Sequence, residues 1–133
     1  MAAGAPRRML AAMVVAPLLA ALALAAPPVA LSGADNGRAV RVLPATPVVV
    51  RLATNPSTGF RWKLLVPLDA RILRLVSHRY QAPPAGSALG AAGLDVWRFV
   101  TVGRGRASLR LGYLRPWQPQ QVAKRFRVDF RVS

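Results

Sequence analysis

Cysteine and glutamate are absent from this 133-residue chain, and histidine occurs once, as His78. Without cysteine there is no disulfide, no thiol nucleophile and no lipid-modified N-terminal cysteine, so an exported domain must be held by its core alone. The acids are only Asp35, Asp69, Asp95 and Asp129. Enzymes generally need a nucleophile, a general acid or base, or a metal. The residue types of a hydrolytic relay exist in Ser57, His78 and Asp95, yet no nucleophile elbow or oxyanion-hole segment surrounds Ser57. One histidine and dispersed aspartates make no closed zinc ligand set. Catalysis, a metal and a cofactor are therefore not expected, His78 reads as a surface strand residue, and binding is the class left to argue.

Lysine is nearly absent too, limited to Lys63 and Lys124, so the net charge of +15 is carried by arginine. Charge of that size attracts polyanions and anionic membrane surfaces at low salt. The competing reading is a compositional preference for arginine on solvated strand faces. The arginines are scattered along the chain with no nucleic-acid module signature, so no specific nucleic acid is expected.

Two parts of unlike composition follow one another. Arg7 and Arg8 precede an uncharged Ala/Leu/Val run from Met9 to Ala26, which is the pattern of a secretory leader. The run is also about long enough to span a bilayer, which makes an uncleaved anchor the alternative, although Pro17 interrupts it. Ser32-Gly33-Ala34 fits a cleavage site, with Ala23-Leu24-Ala25 as the second option. This reading makes residues 1–34 the signal peptide and residues 35–133 the functional domain, secreted or periplasmic. Arg7-Arg8 fits a twin-arginine export signal poorly.

Beyond Ala34 the hydrophobic period is two. Phe126, Val128, Phe130 and Val132 alternate with Arg125, Arg127, Asp129 and Arg131, and Ala107, Leu109, Leu111 and Tyr113 repeat the pattern. Such alternation marks half-buried antiparallel strands. Phe60, Trp62, Leu64 and Val66 form another row, assigned to the core, and Val48, Val50 and Leu52 a fourth. Weaker strands are expected around Arg38–Leu43, Ile72–Tyr80 and Leu94–Val102. About seven strands in a hundred residues predict an all-β, immunoglobulin-like antiparallel β-sandwich.

Three connections stand out. In Asn55-Pro56-Ser57-Thr58-Gly59, Asn55 can bond its own backbone two residues on, Pro56 presets φ, and Gly59 supplies a positive φ before the next strand. A turn ordered in advance loses little entropy on binding. In Leu89-Gly90-Ala91-Ala92-Gly93 the small residues allow close backbone approach, or mark an ordinary flexible connection. The surrounding segment 81–93 is expected to be the most mobile. In Arg115-Pro116-Trp117 a tryptophan enters a polar turn, where it is expected to be exposed, with Pro116 fixing the loop and Arg115 orienting it. The other reading folds Trp117 back over the sheet end.

Taken in order, these segments resemble the chagasin-like inhibitors of cysteine peptidases (family I42), marked by an N-P-T-T-G-F/Y loop, a glycine-rich loop and an R-P-W loop. The likeness runs from about Arg38 to the C-terminus. It implies the same sandwich, and reversible inhibition of papain-family cysteine peptidases by three loops, 55–59, 86–93 and 115–117, wedged uncleaved into the active-site cleft. It further implies that Ser57 and Thr58 approach the catalytic cysteine; Ser57 stands where the family usually has threonine, which keeps the hydroxyl and loses a methyl. The alternatives are an exported immunoglobulin-like adhesion module using its basic surface, and the inhibitor fold recognising proteins that have no active cysteine. Nothing in the sequence demands more than a monomer.

Overall fold

Eight strands build two four-stranded sheets in the computed structural model, which describes residues 26–133. The leader, the anchor alternative and the cleavage option after Ala25 lie outside the described residues. The strands are β1 Val29–Ser32, β2 Ala39–Val42, β3 Pro47–Thr54, β4 Arg61–Leu64, β5 Leu73–Gln81, β6 Gly93–Thr101, β7 Gly105–Leu114 and β8 Lys124–Val132. One sheet runs β1-β3-β6-β5 and the other β2-β8-β7-β4. No helix among the described residues is long and apolar enough to cross a membrane.

The period-two rows make the core between the sheets. Val48, Val50 and Leu52 of β3 and Trp97 and Phe99 of β6 meet Leu109 and Leu111 of β7 and Phe126, Val128 and Phe130 of β8, all buried. Each such side chain contributes roughly 1.5–3 kcal/mol when fully withdrawn from water. Trp62 is buried as expected, with Phe60 and Leu64 partly buried against the same cluster. The β4 row stops at Leu64, and Val66 lies outside the strand and is exposed.

The all-β sandwich of two sheets is as expected, with one difference in strand direction. The sandwich is not wholly antiparallel, because β1 pairs with β3 and β2 with β8 in parallel. The chain passes from one sheet to the other between β1, β2 and β3, so these neighbours in space are not joined by hairpins. Residues ahead of position 35 also pack into the sandwich. Leu31 of β1 is only 3% exposed, within a strand aligned residue by residue on Val48 to Arg51.

The 3-10 turn Gly33–Asp35 that follows is held by a reciprocal cap, in which Ser32 N donates to Asp35 Oδ2 at 2.8 Å and Ser32 Oγ accepts from Ala34 N. Asn36 Oδ1 then accepts from Arg127 N at 2.8 Å, and Gly37 N donates to Arg127 O at 2.7 Å, tying this crossing to β8. Cleavage after Ala34 would remove β1 and half of that cap, whereas cleavage after Ala25 leaves all eight strands.

Because β3 and β7 run toward the same end of the sandwich, and β6 starts there beside Thr54, the connections 55–60, 82–92 and 115–123 share that end. The turns 43–46 and 102–104 and the connection 65–72 occupy the other.

Candidate functional site

The first loop leaves β3 at Thr54 and returns into β4 within six residues, and its shape comes from its own polar atoms. Pro56–Thr58 form a single 3-10 turn closed by Gly59, whose φ of 81° is the left-handed conformation that favours glycine. Thr58 Oγ1 donates to Asn55 O at 2.7 Å and Gly59 N donates to Pro56 O at 3.0 Å. Asn55 does not bond its own backbone as the sequence suggests. Its Oδ1 accepts from Ser57 Oγ at 2.7 Å, and its amide Nδ2 donates to Gly90 O, in the second loop, at 3.3 Å.

The third loop is locked to the first by two further contacts. Arg115 Nε donates to Thr58 O at 3.3 Å, and its guanidinium lies 4.5 Å above the Phe60 ring. Trp117 packs on Gly59 so closely that a Cβ there would sit 2.6 Å from the indole edge. Gly59 is thus required twice, by its φ and by this contact. Trp117 nevertheless remains 67% exposed, so it projects from the surface and does not fold back over the sheet. Beneath the loops, Tyr113 of β7 stacks with Phe60 at 5.3 Å and Trp62 at 5.0 Å, and its hydroxyl accepts from Asn55 N at 3.0 Å. One core tyrosine therefore carries both loops.

The second loop is placed less uniformly than the sequence suggests. Gly90 has a φ of 79° and its carbonyl is the Asn55 partner. Leu89 is fully exposed, Ala92 is exposed and Ala91 half-buried. Gly93 is corrected: it is buried as the first residue of β6, opposite Thr54. A side chain there would collide with Gln81 O and the Tyr80 ring. Its smallness serves strand packing, and the loop tip ends before it. The exposed surface of the three loops includes Ser57, Thr58, Gly86 to Gly90, Ala92, Pro116 and Trp117, with the half-buried Asn55, Pro56, Gly59, Ala91 and Arg115 forming its frame.

Sequence reasoning missed one cluster below this surface. His78 Nε2 lies 2.7 Å from Asp95 Oδ1, Trp97 Nε1 donates to Asp95 Oδ2 at 3.2 Å, and the imidazole stacks on Trp97 with centroids 3.6 Å apart. His78 is on the surface as expected, but it is partnered, and Asp95 is buried. The register of β5 on β6 sets His78 opposite Trp97 and Tyr80 opposite Asp95, a relation no local pattern displays. Ser57 Oγ is engaged with Asn55, so Ser57, His78 and Asp95 are not joined as a relay. Among the described residues no three of His, Asp or Glu gather as metal ligands.

The other acids are held by neighbours. Hydrogen bonds from the Ser32 backbone and Arg38 lower the Asp35 pKa, Arg71 does so for Asp69, and Ser108 with Arg127 for Asp129. None of these belongs to the loop surface.

Comparison with known proteins identifies the family and the fold. The family described as Chagasin family peptidase inhibitor I42 matches residues 44–132. Chagasin of Trypanosoma cruzi is 30% identical over 104 residues, covering 75% of this chain and 94% of chagasin. The cysteine protease inhibitor EhICP2 of Entamoeba histolytica superposes with a TM-score of 0.73 at 19% identity, over 80% of this chain and 96% of its own. PbICP-C, solved in complex with falcipain-2, superposes with a TM-score of 0.52 at 15% identity, over 79% and 99% of the two chains. At those identities the two structures speak for the fold. The family match spans the three loops and the strands that present them, and the chain belongs to the chagasin family of peptidase inhibitors.

Proposed function

We propose that this chain blocks papain-family cysteine peptidases by seating the surface of loops 55–59, 86–92 and 115–117 in the active-site cleft, reversibly and without being cleaved or performing catalysis itself. The observation that carries this reading is the locking of the loops to one another: Asn55 to Gly90, Arg115 to Thr58 and Trp117 to Gly59. A surface ordered before docking pays little further entropy on binding. It presents an exposed tryptophan, a residue type that dominates interface energetics. The Ser57 and Thr58 hydroxyls are spent on Asn55, which favours backbone and shape contact over hydroxyl chemistry at the peptidase cysteine. An interface of roughly 800 Å² per partner fits a rigid wedge of this kind.

Export follows from the leader, with cleavage after Ala25 as the position compatible with β1, and the exported domain acts as a monomer. Titrating residues 26–133 against papain and a cathepsin L-type enzyme tests the reading. Stoichiometric loss of activity at both low and moderate salt is expected, and a folded domain that leaves both enzymes active at micromolar concentration would overturn it.

A further inference from the structure

We propose that the end of the sandwich opposite the loops docks on an anionic lipid surface. The register brings together arginines that lie far apart in sequence. Arg41 of β2 stands opposite Arg131 of β8, which stands opposite Arg106 of β7. All three are exposed, and adjacent strands lie about 4.8 Å apart, so three like charges fall in one short row. Like charges directly opposite one another destabilise a sheet. Among the described residues none of the three is in an ion pair; Asp129, two residues from Arg131 on β8, is held by Arg127 and Ser108. Beside the row is a depression of about 600 Å³ lined by Arg41, Arg106, Arg127 and Arg131, with Ser108 and the single carboxylate of Asp129 also on its wall.

The turns at this end add an apolar component. Thr101 clamps turn 43–46 to β6, accepting from Ala45 N at 2.8 Å and donating through Oγ1 to Leu43 O at 2.7 Å. That clamp leaves Leu43 60% and Val102 42% exposed, with Arg104 two residues beyond. A dissolved polyanion has no use for exposed leucine and valine tips, whereas the headgroup region of a bilayer accepts both apolar tips and the arginines around them. The chain also enters the fold here. Ala26, Pro27 and Val29 line a hollow of about 300 Å³ together with Arg41 and Leu43, which adds apolar surface at the same end. Docking in this orientation points the loop surface away from the bilayer, and the inference does not depend on what those loops bind.

The test is co-sedimentation of residues 26–133 with vesicles of phosphatidylcholine alone or with one third phosphatidylglycerol, at about 0.1 M salt. Binding to the anionic vesicles only is expected. Arg41→Gln/Arg106→Gln/Arg131→Gln should lower partitioning on the order of 100-fold. The control Arg51→Gln/Arg79→Gln/Arg98→Gln removes equal charge from the outer face of the other sheet and should retain most of the binding. Leu43→Ser/Val102→Ser should weaken binding several-fold, and thermal melting would verify that each variant is folded. Three results would overturn the proposal: no binding to anionic vesicles, equal loss in the two arginine triples, or capture by dextran sulfate with no dependence on Leu43 and Val102.

Discussion

The two ends of the sandwich are built from the same strands and solve different problems. At the loop end, the connections are fastened to one another by side chain to backbone bonds that cross between loops. At the opposite end, the turns 43–46 and 102–104 are short and each is fastened to a neighbouring strand or connection, and the arginines of β2, β7 and β8 line up across the sheet. Rigidity at the loop end is made by the loops themselves over a Tyr113 platform, and at the other end it is inherited from the sheets. A substitution at the loop end should therefore change recognition more than stability, and one in the strands the reverse.

The sharpest way to break that division is to remove a strand. Deleting residues 26–34, as cleavage after Ala34 would, takes away β1 and buried Leu31. Truncating a buried leucine alone typically costs about 2–5 kcal/mol, so chemical denaturation should show at least that loss, with inhibition falling only as the folded fraction falls.

Next in size is Gly59→Ala. The left-handed φ costs a non-glycine residue about 1–2 kcal/mol, and the added methyl must also displace Trp117. Inhibition should weaken by ~30-fold or more, with a smaller change in melting temperature than the β1 deletion gives.

Trp117→Ala removes a largely exposed ring and should weaken inhibition by ~10-fold or more with a nearly unchanged melt. Unchanged inhibition would remove the third loop from the contact surface. Asn55→Ala severs the Ser57 and Gly90 bonds together. At about 1 kcal/mol per net hydrogen bond, the inhibition constant should rise severalfold, and hydrogen exchange in 86–92 should speed up.

The smallest effect concerns acid. Asp129, Asp35 and Asp69 have lowered folded-state pKa values, so each adds stability that is present above the usual carboxylate range near 4. That stability is lost as pH falls through the lower folded value. Asp129→Asn should flatten the acid limb of the stability curve below about pH 4, with the loop surface unaffected.

The sequence was legible where one residue type has one meaning. Period-two rows located β3, β4, β7 and β8 and their buried faces, and the Pro-to-Gly turn and the polar setting of Trp117 marked two of the loops. It was not legible where the meaning depends on a partner. Val29-Ala30-Leu31-Ser32 reads as the tail of an apolar leader until Val48–Arg51 is seen beside it. Gly93 looks like loop because glycine often is, yet Gln81 and Tyr80 crowd it within the sheet. His78 and Asp95 are 17 residues apart, and only the β5–β6 register joins them. The arginines look scattered along the chain, and alternation on neighbouring strands gathers Arg41, Arg106 and Arg131 into one row.

In the proposed mode of inhibition one end of the sandwich, and only that end, meets the peptidase. Hydrogen exchange of residues 26–133, alone and saturated with catalytically inactivated papain, tests it most directly. Slowed exchange in all three segments 55–60, 86–92 and 115–118, with 43–46 and 102–106 unchanged, is the expected result. Slowing at the arginine end, or in one loop without the other two, would contradict it.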